Sequence, residues 1–126
     1  MTAQLDQPFV LAALDDDAGC AGVLAYARAQ ARQRGLPLRV AHVWARQEAI
    51  ADSDRLLTDV LYDNLPPGEA AAVERQILHD DDPARALAAL SRDAALVVAS
   101  AGTLGETVKR LAELADCPVA VIPAAE

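Results

Sequence analysis

The sequence predicts an α/β domain of Rossmann-like architecture, a three-layer sandwich in which a five-stranded parallel sheet lies between about four helices. Three observations predict it. Apolar runs of strand length alternate with helix-like stretches, and that alternation builds a parallel sheet with right-handed crossovers. The run Ala95–Ala99 is apolar at every position, as a strand buried on both faces must be. Aromatic residues make up only 3% of the chain, so the core is built from Ala, Val, Leu and Ile, which suits tight packing of helices on a sheet.

Phe9–Leu14 is long enough for a strand and too short for a helix. Asp15, Asp16 and Asp17 stop it and offer helix N-caps. From Ala18 a helix is expected, with Ala21, Leu24, Ala25, Arg28 and Ala31 on one face and Gly35 and Pro37 ending it. Leu38–Trp44 is the second strand. The stretch from Gln47 to Leu65 has Ile50, Leu57, Leu61 and Leu65 near helical spacing, and Pro66-Pro67-Gly68 breaks it. Ala72–Leu78 is a weaker strand, interrupted by Glu74, Arg75 and Gln76, which suits a sheet edge. Asp82-Pro83 opens the third helix, with Asp82 or Asp81 as cap and Pro at the first helical position, where its missing N–H is not needed. After the strand Ala95–Ala99, the loop Ser100–Gly105 leads into a helix with Leu104, Val108, Leu111, Ala112 and Ala115 in one stripe. Thr103 and Glu106 stand at capping-box spacing at its start. Pro118–Ile122 is the last strand.

The whole chain, 1–126, reads as one domain, with enough length for a core without staples. Eleven basic and nineteen acidic residues give a net charge of −8, which opposes nucleic acid and anionic lipid as partners. No stretch approaches the roughly 20 apolar residues of a membrane span. Met1 to Phe9 lacks the basic start and apolar core of a signal peptide, so the cytoplasm is the expected location. Cys20 and Cys117 fall at opposite edges of the sheet. A five-residue strand spans about 17 Å and a disulfide needs Cα atoms within about 7 Å, so no bridge between them is expected.

In such a fold, ligands bind beyond the C-terminal ends of the strands, where strand order reverses. That selects the Asp15–Asp17 turn, the loop after Val43, the His79–Asp82 turn and Ser100–Gly105. The acidic runs read first as helix caps, with a divalent cation as the sharper alternative. His79 beside solvated carboxylates is a weak metal signal, and no metal is expected. His42 reads as a strand histidine facing a helix or the pocket, and Trp44 as edge packing or a shield for a bound base. Ser100 has no nucleophile elbow around it. No nucleophile–base set is recognisable, so catalysis is not expected. A phospho-receiver domain would need a Lys at the end of the fifth strand, and Pro118–Pro123 has none.

Four segments together resemble the universal stress protein family: Leu14-Asp15 before an Ala-rich helix; Leu38-Arg39-Val40-Ala41-His42-Val43; Asp82-Pro83-Ala84 running on to Ala95-Leu96-Val97-Val98-Ala99-Ser100; and Asp116-Cys117-Pro118-Val119-Ala120-Val121-Ile122-Pro123. The resemblance runs nearly end to end. It implies strand order 3-2-1-4-5 and a homodimer formed along the last strand through Val119, Val121 and Ile122. It also implies a nucleotide site of Asp15, Val43, Ser100, Gly102, Gly105 and Glu106, with Asp15 near the base and ribose and Val43 lining the base pocket. Nucleotide-binding members carry a loop of the pattern G-x2-G-x9-G-S/T. Here Gly102 and Gly105 satisfy G-x2-G, but the pair nine residues on is Ala115-Asp116. Aligning Gly105-Glu106 with the terminal pair fits the distance to Cys117-Pro118 better. Either way most of the loop is missing, the phosphate-binding hydroxyl is absent or replaced by Glu106, and Ala99 replaces the usual Gly at the strand end.

A carboxylate on a helix N-terminus occupies the N–H groups that attract phosphate. At about 5 Å and an effective dielectric near 20, two like charges repel by about 3 kcal/mol. No Lys or Arg lies in the loop; Lys109 and Arg110 follow a turn later. The expectation is therefore a non-catalytic stress-response module with lost or weakened ATP binding and no required cofactor, acting through dimerisation or a protein partner. The alternative is a sensor of AMP, ATP or another adenylate that uses the trimmed site.

Overall fold

The computed structural model describes residues 8–14, 20–44, 50–79, 82–100 and 105–122. In chain order these form β1 (Phe9–Ala13), α1 (Cys20–Arg34), β2 (Leu38–Trp44), α2 (Ile50–Asn64), α3 (Pro67–Ala72), β3 (Glu74–His79), α4 (Pro83–Leu90), β4 (Ala94–Ser100), α5 (Gly105–Leu114) and β5 (Val119–Ile122). The strands lie in one sheet in the order β3-β2-β1-β4-β5, and all four neighbouring pairs run parallel. This is the architecture and strand order expected, with β3 on an edge.

Strand periodicity divides the core in two. Val10, Ala12 and Leu14 point to one side, where they pack with Val23, Leu24 and Ala27 of α1 and Leu57 and Leu61 of α2. Phe9, Leu11 and Ala13 point to the other, against Ala84 and Leu87 of α4 and Leu111 of α5. A strand buried on both faces cannot afford a polar position, and all five residues of β1 are apolar and buried. β4 joins both layers through a register shift. Phe9 pairs with Ala94 but Val10 pairs with Leu96, so Ala95 is an inserted residue. That insertion is why Ala94, Val97 and Ala99 share one face although they do not alternate strictly.

Gly35 ends α1 with φ of 66°, a left-handed conformation that favours glycine. The Leu36 N–H donates to the Ala31 carbonyl at 2.9 Å and the Gly35 N–H to Arg32 at 3.2 Å, the paired bonds of a Schellman cap. Asp82 caps α4 as expected, its carboxylate accepting the Arg85 N–H at 3.4 Å, with Pro83 in the first turn. Cys20 and Cys117 are both free thiols, as expected.

Three expectations need correction. The buried stripe of α1 is Cys20, Val23, Leu24, Ala27 and Ala31; Ala21 and Ala25 are exposed and Arg28 is half-buried. Alanine suits either side of a helix, so an Ala-rich stretch has almost no apolar contrast from which to read its face. In α5, Leu111 is buried and Ala115 packs against the core, but Ala112 is exposed. Lastly, where about four helices are expected, five α-helices stand among the described residues, one of them at a segment expected only to break a helix. The extra one is α3, where Pro66-Pro67 was read only as a break. Pro67 instead starts a helix, because its ring presets φ and the N–H it lacks would be unbonded there. Ala70 anchors α3 in the core.

Candidate functional site

β1 sends its connection toward β2 on one side of the sheet, while β4 and β5 lie on the other side of β1. The order therefore reverses between β1 and β4, and ligands of such folds bind beyond the C-terminal ends of the strands at that switch point. Four features of the described residues lie at these strand ends. Leu14 directly follows β1, buried, with its N–H donating to the Ala41 carbonyl at 2.9 Å. His42 of β2 is buried at 2% exposure, its Nδ1 lying 3.0 Å from the Leu14 carbonyl. A carbonyl only accepts, so Nδ1–H is the donor, and the ring pins the residue that follows β1. Ser100 ends β4 and is buried at 3% exposure. α5 begins at Gly105, five positions beyond Ser100.

The electrostatics at this edge are mostly internal. Arg110 of α5 donates from Nη1 to Asp82 Oδ1 at 2.6 Å, joining α5 to the cap of α4. The Arg110 hydrogen bond holds the Asp82 carboxyl below the usual range, and Asp82 raises the guanidinium in turn. One of the two cations that follow the loop is thus already matched by a carboxylate.

Of the predicted site residues, Val43, Ser100, Gly105 and Glu106 have a described backbone. Ser100 stands at the switch point. Val43 lies on β2 opposite Leu78, though its side chain is outside the described set. Gly105 is the first residue of α5 and Glu106 the second, with the Glu106 side chain likewise outside. Asp15, Gly102 and Thr103, with Asp16, Asp17, Asp80 and Asp81, lie outside the described residues, as do the side chains of Trp44 and His79. Of the expected dimer residues, Val121 is 45% exposed, whereas Val119 and Ile122 are half-buried and pack against the two core clusters. Among the described residues no group of three metal-binding side chains occurs, and no helix is long and apolar enough to cross a membrane.

The sequence reading missed the role of His42. Its only signal was a polar residue within the otherwise apolar run Val40–Val43. The reading also missed the bidentate Arg28–Glu69 pair, at 2.6 and 2.8 Å, which joins α1 to the unexpected α3.

Solved structures share this fold. The universal stress protein from Archaeoglobus fulgidus in complex with dAMP superposes with a TM-score of 0.73 at 20% identity, covering 91% of this chain and 97% of that one. A protein of the universal stress protein family from Burkholderia pseudomallei gives 0.70 at 23% identity, over 94% and 98%. A universal stress protein in complex with cAMP gives 0.70 at 16%, over the same shares. No family sequence model matches the chain, and no curated protein sequence does. The chain thus has the fold of the universal stress proteins.

Proposed function

We propose that the protein is a non-catalytic module of the universal stress protein family whose ATP binding is lost or weakened. It acts through a homodimer or a protein partner that meets β5. The observation that carries this reading is the spacing at the switch point. Only four residues separate the end of β4 at Ser100 from the start of α5 at Gly105, which is little length for a loop to wrap a triphosphate. Glu106 is the second residue of α5, and an acidic residue in a first helical turn opposes phosphate binding at that helix end. Arg110 is matched by Asp82 and so does not offset it.

A second reading, a sensor of an adenine mononucleotide, is favoured by a different observation. Two proteins of this fold hold dAMP and cAMP, each with one phosphate. A ligand with one phosphate needs less of a phosphate-binding loop than a triphosphate does. Titration calorimetry with ATP, AMP and cyclic AMP, each with and without magnesium, separates the readings. The partner-binding module gives no heat with any of them. Saturable heat with AMP or cyclic AMP alone establishes the sensor. Tight ATP binding would refute the role given to the short loop and Glu106.

A further inference from the structure

A concavity of about 390 Å³ opens at the opposite edge of the sheet, where α1 ends, β2 begins and α3 closes over them. Leu36, Leu38 and Val73 provide apolar wall, and Arg28, Arg32 and Glu69 a charged rim. The two arginines are not equivalent. Arg28 gives Nε and Nη2 to the two Glu69 oxygens at 2.6 and 2.8 Å. Arg32 stands with Nη2 3.6 Å from Glu69 Oε2, too far for a hydrogen bond, and its side chain is 66% exposed. Two guanidinium groups thus share one carboxylate.

The rim is a positive point on a negative molecule. The net charge is −8, yet residues 18–47 carry five arginines and no Asp or Glu. Arginines at the end of α1 suit its dipole, but that does not require an apolar hollow beside them. A second hollow, of about 350 Å³, shares Arg28 and Arg32, so the cationic rim faces concave surface on both sides.

We propose that the hollow between α1 and α3 is a binding site for a small organic carboxylate with an apolar body, separate from the switch point. The carboxylate pairs with the Arg32 guanidinium, whose fork matches two oxygens. The hydrocarbon part lies on Leu36, Leu38 and Val73. The volume is within the range of small-ligand clefts, about 300–1,000 Å³. An uncharged ligand forgoes the arginine, and a bare anion forgoes the wall.

Hexanoate is a suitable probe, followed by amide NMR shifts of the ¹⁵N-labelled full chain, with hexanol and acetate as controls. The expected result is saturable shifts at Gly35, Leu36, Leu38 and Val73 with hexanoate, and affinity at least tenfold weaker for either control. Arg32→Gln should weaken hexanoate about tenfold, while Arg34→Gln, outside the hollow, should leave it unchanged. Ala72→Trp fills the hollow with Arg32 intact and should abolish the shifts. Linear shifts spread over the surface, equal binding of hexanol, or undiminished binding by Arg32→Gln or Ala72→Trp would each overturn the proposal. AMP should leave the hexanoate shifts unmoved, which keeps this test independent of the switch point.

Discussion

Single side chains fix the edges of this sheet. His42 is the clearest case, because its imidazole is buried and donates to a backbone carbonyl at the point where β1 ends. Replacing it with Leu keeps the volume but removes that donor, and an unmet buried acceptor costs about 1–3 kcal/mol. His42→Leu is therefore expected to lower urea stability by that amount, while His42→Asn, which keeps an N–H, should recover part. A loss no larger for Leu than for Asn would show that the hydrogen bond does not anchor β1.

Two carboxylates make stability depend on acid. The Arg28 hydrogen bond holds Glu69 below the usual carboxyl range, and the Arg110 bond does the same for Asp82. A lowered folded-state value means that the unfolded chain takes up protons first. The contribution is then complete above the ordinary carboxyl values near 4 and lost as pH falls through the lower folded values. The melting temperature should therefore stay level from pH 7 to 5 and fall below about 4. Glu69→Gln should lower the plateau and flatten that fall, as followed by circular dichroism; an acid limb identical to the parent's would exclude Glu69 as a source.

At the scale of elements, contrast decides what is legible. α5 and α2 alternate Leu with charged residues, so their buried residues Leu111, Leu57 and Leu61 stand out in sequence. α1 is alanine-rich, and its face was misread by about one position until packing against Val10, Ala12 and Val98 showed it. α3 escaped because two prolines signal both an ending and a beginning. Gly35 was legible as a helix stop and is one in the structure. A Cβ there would meet nothing within 4 Å, so the cost of Gly35→Ala is conformational alone. It should come to about 1–2 kcal/mol in chemical denaturation. Gly35→Asn, which tolerates the left-handed region better, should cost less. An unchanged midpoint for the Ala variant would mean that the cap relaxes to negative φ.

For the whole molecule, β5 is the outer strand whose assembly is testable. Val119 and Ile122 support the chain's own core, so Val121, exposed on the same strand, is the cleaner position to change. With the dimer proposed above, Val121→Asp is expected to halve the mass seen by light scattering while the far-ultraviolet spectrum stays as it was. A parent and variant of equal mass would exclude β5 as the interface.

The order of the strands and of every helix but α3, the buried β1 and β4, and an aspartate cap before Pro83 could be read from the chain, because strand period, apolar runs and proline or aspartate at helix starts act locally. The candidate site was legible only by position, since strand order places it before any side chain is known. Which face of α1 is buried, the bond from His42 to Leu14, and the Arg28–Glu69 and Arg110–Asp82 pairs were decided by tertiary structure alone. Each joins residues 28 to 41 positions apart, and neither propensity nor periodicity reaches across such a separation.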